Sequence, residues 1–368
     1  MYNIHMKLNL NTKDLNEFQK ILDTKDVNMS IADLYLEYLE YYKNSFLYDK
    51  NNKTSFEEQF LKHFLHKMEI DPKNKENKEI IENYLLPGIK CLNEEKYLNN
   101  PYIKNIVIKD KRNANLLLTN LTYKPFEAFS YNDIEVNENA YYKEISRIGF
   151  FKKPYTFPAL LENNVIWMSI NPNEIETMEK SINEAKGNIL VFGLGLGYYQ
   201  YMTSLKEEVK SITIVENNQK IIDIFNTCIL PQFTNKNKIK IIKDDAFNYI
   251  NKCDKNEFDF IFVDFWHNPN DGLETYLYFK KLENTFNNTI FSYWLEEGIL
   301  ALLRRSLISL IEEELDGSSD IDYKIQDTLF DKIISKLHFF LKNSTFNSFI
   351  EIKKLLSDES LKSLATKL

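Results

Sequence analysis

The stretch that decides the fold is Val191–Met202, VFGLGLGYYQYM. Three of the chain's nine glycines fall within it, at Gly193, Gly195 and Gly197. An apolar run ends at Phe192, glycine then recurs at alternate positions, and an aromatic run of helical character follows. That is the passage of a buried strand through a tight turn into a helix. Ligands on open α/β sheets bind where strands end in this way. A dinucleotide fingerprint would need a third glycine at Tyr198 or Gln200, both too large for that role. No Gly-Lys-Ser/Thr follows, which excludes a P-loop. The GxGxG spacing lets the backbone lie flat against a ligand.

Downstream, the apolar runs NILVFG, SITIVE, KIKIIK, FDFIFVDF and TIFSYW alternate with amphipathic segments. The last of these segments is EEGILALLRRSLISLIEEEL. Apolar strands joined by helices predict a mainly parallel sheet covered on both faces. The α/β core spans 171–317, opening on a helix capped by Asn171 with Pro172 at its first position. A helical accessory region is expected over 1–100. There Ser30 and Asp33 open one helix as in a capping box, and Thr54 and Glu57 open another. The segment 101–170 reads as a small β-rich section with strands at YIKNIVI, NLLLTNLTY and NNVIWMSI, and 318–368 as a helical tail.

The chain has 368 residues and a net charge of −8, from 46 basic and 54 acidic residues, which gives no global field for nucleic acid. Only NKNKIKIIK, with Lys236, Lys238 and Lys240 alternating onto one side, points the other way. No apolar run has signal-peptide or membrane-spanning length. Cys91, Cys228 and Cys253 are scattered without metal-ligand spacing, so no metal site is expected and a cytoplasmic location is. A homo-oligomer is left open.

Four elements in order resemble the class I, Rossmann-like S-adenosylmethionine-dependent methyltransferases over about 188–300. VFGLGLG is similar to their glycine-rich motif. The resemblance implies that Gly193, Gly195 and Gly197 face the cofactor S-adenosyl-L-methionine. Glu216, 23 residues on, would bind both ribose hydroxyls. Asp245 in KDDAF would accept from the adenine amino group, and Ala246 would offer a backbone contact. Asp264, ending FDFIFVDF, would face the reacting centre. Within the superfamily, ITIVENNQKII and KIIKDDAFNYI most resemble the spermidine-synthase-like branch, and the chain is also similar to bacterial methyltransferase-like proteins. Two positions depart from that branch. Leu196 stands where its glycine motif carries an acid, and Phe265-Trp266-His267-Asn268-Pro269 lacks its second aspartate.

The expected activity is methyl transfer to a small-molecule or amine acceptor. Aminopropyl transfer, and a non-catalytic S-adenosylmethionine-binding or scaffold protein, are the alternatives. Asp264 and His267 are the candidate catalytic residues, with Asp271 beside them, because an acceptor that carries a proton needs a base. Tyr198, Tyr199 and Trp266 either wall a substrate pocket or pack in the core, and Phe265 is expected in the core. Glu216→Ala is expected to abolish cofactor binding and leave the fold intact.

Overall fold

The structure, a computed structural model, describes residues 6–317 and 329–368. His5 and residues 318–328 of the expected tail lie outside it. The centre is a five-stranded, wholly parallel sheet. Its strands are β1 (Gly187–Phe192), β2 (Val209–Glu216), β3 (Ile239–Lys243), β4 (Phe260–Val263) and β5 (Ile290–Tyr293). Their spatial order is β3-β2-β1-β4-β5. The chain moves outward from β1 to β3 and then returns past β1 to β4. Two crossovers therefore diverge between β1 and β4, and a crevice opens at the carboxyl ends there.

Central β1 and β4 are apolar along their length because both faces are covered: Ile189, Leu190, Phe192, Phe260, Ile261 and Val263 are all buried. Edge strand β3 alternates half-buried isoleucine with exposed Lys240 and Lys243, as an unpaired edge requires. The three lysines do not form a basic stripe. Lys238 turns inward, where its Nζ donates to the carbonyls of Ser204 and Lys206. The helices that bear on the crevice are α1 (Pro172–Glu184), α2 (Tyr198–Ser204), α3 (Pro269–Glu283) and α4 (Glu296–Leu315).

The amino-terminal part departs from expectation at several points. Ser30 starts no helix. A single helix runs Thr12–Tyr41, capped by Asn11, and inside it the Ser30 hydroxyl donates to the carbonyl of Asp26. Long-range bonds hold this helix, since buried Asn28 donates to the Tyr142 carbonyl and accepts from Glu144 N–H. The second helix begins one residue later than predicted, with a full capping box between Ser55 and Glu58. YIKNIVI is not a strand. Asn100 caps a short helix, Pro101–Asn105, whose buried Tyr102 serves the core. Strand structure also occurs before residue 101, at Lys7–Leu8 and at Ile89–Cys91.

Tyr155–Glu162, a strand the sequence reading passed over, is central to a four-stranded antiparallel sheet. It pairs with Leu116–Tyr123 on one side and Val165–Ser169 on the other. Pro158 within it hides the pattern, yet its carbonyl still accepts from Ile170 N–H. Val165–Ser169 then leads through Asn171 into α1, which brings this sheet to the mouth of the crevice. Arg304 on α4 is buried and joins the carboxy-terminal helices, donating to the Leu356 carbonyl at 2.8 Å and pairing with Asp358.

Candidate functional site

The crevice is a cavity of about 570 Å³, within the range of small-molecule sites. Its floor is the turn after β1, where Gly193, Gly195 and Gly197 all have positive φ, at 99°, 54° and 76°. They face different things. A Cβ on Gly193 would stand 1.9 Å from the carbonyl oxygen of Asp264, so this glycine lets β1 and β4 close against each other. At Gly195 the nearest atom is Met168 Sδ, at 3.9 Å. That is an ordinary contact, so of the three glycines Gly195 alone has room for a Cβ where the turn lines the cavity. Tyr102 fixes the turn from the amino-terminal side by donating from its hydroxyl to the Leu196 carbonyl.

Glu216 ends β2 half-buried in the same cavity. One carboxylate oxygen accepts from Leu194 N–H at 3.2 Å and the other from Asn218 N–H at 2.7 Å. Burial pushes its carboxyl above the usual range despite these bonds. Each oxygen retains a lone pair, which suits a pair of vicinal hydroxyls. Because the carboxylate satisfies two backbone donors, Glu216→Ala would also disturb the glycine turn, contrary to the expectation of an intact fold.

Asp245 caps the helix Ala246–Lys252 by accepting from Asn248 N–H at 3.0 Å, and Asp244 accepts from Asp245 N–H. Asp244, Asp245 and Ala246 all line the cavity.

Asp264 follows β4 directly and also faces the cavity. Burial raises its carboxyl to about 7. The cavity wall includes Glu174, from the first turn of α1, which the sequence reading missed. Glu174 occupies the position from which a capping-box glutamate reaches back to its cap, and Asn171 does accept from Glu174 N–H. The reciprocal bond is absent, so the carboxylate is left to the cavity. Burial, and then the charge of Asp264, raise its pKa. Asn-Pro-x-Glu ahead of a glycine turn was the available signal, but it reads first as a helix cap.

His267 stands at the rim with its side chain 62% exposed, and its Nδ1 lies 3.2 Å from Asp271 Oδ2. Asp271 is occupied as the capping box of α3, accepting from the N–H groups of His267 and Asn268. Glu174, Asp264 and His267 thus line one cavity, and of the three only His267 is paired among the described residues, with Asp271. Tyr198, Tyr199 and Trp266 are buried and touch the cavity while packing. Tyr199 stacks on Phe262 at 4.0 Å, and the Tyr198 hydroxyl accepts from Asn100. Phe265, expected in the core, is half-buried on the wall. Val165–Ser169 supplies Ile166, Trp167 and Met168. Among the described residues, none that lines the cavity is lysine or arginine.

Among the described residues no group of histidine, cysteine or acidic side chains is placed to hold a metal ion. No helix there is long and apolar enough to cross a membrane.

Residues 174–303 match the spermine/spermidine synthase domain. The match begins at Glu174, encloses all five parallel strands and ends inside α4. Among solved structures, the PRMT1 enzyme–prozyme heterotetrameric complex with AdoHcy from Trypanosoma brucei is similar at 16% identity. The similarity covers 33% of this chain and 37% of that one, with a TM-score of 0.24. MNMC2 from Aquifex aeolicus is similar at 12% identity over 77% of this chain and 97% of that one, with a TM-score of 0.26. This chain thus spans little more than a third of the length of the first. No curated protein matches the sequence.

Proposed function

We propose that this chain is an S-adenosylmethionine-dependent methyltransferase acting on a small amine. One observation carries the reading: Gly195, Glu216, Asp245 and Asp264 line a single cavity at the switch point of a parallel sheet. Glu216 would hold the ribose hydroxyls through the free lone pairs of its carboxylate. Asp245 would accept from the adenine amino group through the capacity its cap leaves spare, with Ala246 beside it. The bare backbone at Gly195 would admit the nucleoside without collision.

When bound, S-adenosylmethionine would supply a sulfonium-activated carbon, whose C–S bond would break, leaving its electron pair on sulfur, as the acceptor's lone pair formed the new bond. The protein's own work is alignment and proton removal. Asp264, held near neutrality by burial, is suited to take a proton from the acceptor. His267, exposed and paired with Asp271, would serve at the rim.

Aminopropyl transfer is the second reading. It is favoured by a lining with no lysine or arginine for a methionine carboxylate, and by the kind of domain matched over 174–303. Calorimetry with S-adenosylmethionine, S-adenosylhomocysteine, decarboxylated S-adenosylmethionine, methylthioadenosine and NAD tests both. Binding of the first two supports methyl transfer, and preference for the decarboxylated form moves the assignment to aminopropyl transfer. Binding of NAD alone, or of none, overturns both.

A further inference from the structure

The five carboxylates of the cavity fall into two groups. Glu216, Asp244 and Asp245 each already accept a backbone N–H. Glu174 and Asp264 accept from no donor and pair with no cation among the described residues, although Glu174 feels the charge of Asp264. Two carboxylates that open to one cavity and accept no protein donor leave a place for a cationic or proton-donating group beside them. The strand that leads into α1 presents mainly apolar side chains to the cavity, with Ser169 at its end. Val165–Ser169 contributes Ile166, Trp167 and Met168, and Ile166 remains 54% exposed at the rim.

Building on the transferase reading, we infer that the acceptor is a primary monoamine with an apolar arm, its ammonium between Glu174 and Asp264 and its arm along Ile166, Trp167 and Met168. Glu174 is thus a substrate-binding residue. One ammonium against two carboxylates that share one proton leaves the site neutral, a state the raised carboxyls favour. For reaction, the ammonium proton passes to the carboxylate pair, and the nitrogen lone pair is freed to form the N–C bond as the C–S bond breaks. A diamine fits less well. Its second ammonium would lie along the apolar side chains of Val165–Ser169, which offer it no carboxylate, and would lose part of its hydration without gaining a partner.

The test is calorimetry at pH 8 on the full chain with n-hexylamine and 1,6-diaminohexane, and separately with S-adenosylhomocysteine. Hexylamine is expected to bind at least about tenfold more tightly than the diamine. Glu174→Gln should weaken hexylamine about tenfold, the scale of one charge-assisted hydrogen bond, with nucleoside affinity unchanged. Ile166→Asp should narrow the preference by giving the second ammonium a partner at the rim. The inference is overturned if hexylamine fails to bind, if the diamine binds as tightly, or if Glu174→Gln leaves hexylamine affinity unaltered. Nucleoside binding without amine binding would sink the ammonium clamp and keep the nucleoside site. Amine binding without nucleoside binding would do the reverse.

Discussion

Alanine placed at Gly193 and at Gly195 should fail in opposite ways. At Gly193 a Cβ would lie 1.9 Å from the Asp264 carbonyl oxygen, a backbone atom that cannot rotate aside, and φ is 99°. Holding a non-glycine residue in so sparse a region costs about 1–3 kcal/mol. Forcing a methyl group into packed structure adds about 1–3 kcal/mol. Gly193→Ala should therefore lose about 2–6 kcal/mol of stability in urea-induced unfolding, pushing β4 and Asp264 away from β1.

At Gly195 φ is 54° and the nearest atom lies at 3.9 Å. The left-handed conformation alone costs about 1–2 kcal/mol, and the methyl group stands in the cavity. Gly195→Ala should remain folded and lose nucleoside affinity, read by calorimetry. The reasoning is refuted if Gly195→Ala binds S-adenosylhomocysteine normally, or if Gly193→Ala is as stable as the parent chain.

Three further outcomes are expected. Glu216→Ala should destabilise the chain by about 1–3 kcal/mol for each backbone N–H it leaves unpaired, at Leu194 and Asn218, as well as abolish nucleoside binding. Glu216→Gln, which keeps an acceptor oxygen, should lose the smaller part in urea unfolding. Burial raises Asp264 to about 7, so hexylamine affinity should rise between pH 6 and 8 as its carboxylate forms, and Asp264→Asn should flatten that profile. The same shift favours the neutral acid in the folded state. Its contribution to stability is therefore present at low pH and is lost as pH climbs through about 7, which pH-dependent urea unfolding would register in the parent but not in Asp264→Asn. Arg304→Ala should cost about 3 kcal/mol, the lower end for breaking a buried ion pair, because Asp358 remains 35% exposed; thermal unfolding would register it.

The parallel sheet was legible because its strands are buried on both faces and their apolar runs are nearly unbroken, from NILVF to FDFIFV. Its first helix was legible because a side chain caps it locally, at Asn171. The positions around the glycine turn could be named because a strand end, a turn and a helix start are events of neighbouring residues. Helix boundaries in the amino-terminal part were less readable. Asn28, which makes the Thr12–Tyr41 helix continuous across Ser30, is satisfied by Tyr142 and Glu144, more than a hundred residues away. Pro101 similarly set Tyr102 into a helix whose hydroxyl serves the glycine turn, although its neighbours read as a strand.

By itself the sequence determined the α/β core, the glycine turn and the acids at the ends of β2 and β4, because each depends on local pattern and spacing. Only tertiary structure decided which of those groups are already occupied and which are free. Backbone donors from the turn and from short helices engage Glu216, Asp244 and Asp245. Glu174, nineteen residues before the turn, reaches the same cavity as Asp264 because α1 packs on α2 and is tied to Trp294 through Thr177, and His267 stands exposed at the rim. Hydrogen-bond satisfaction is a property of the folded surroundings, so no periodicity in the chain records it.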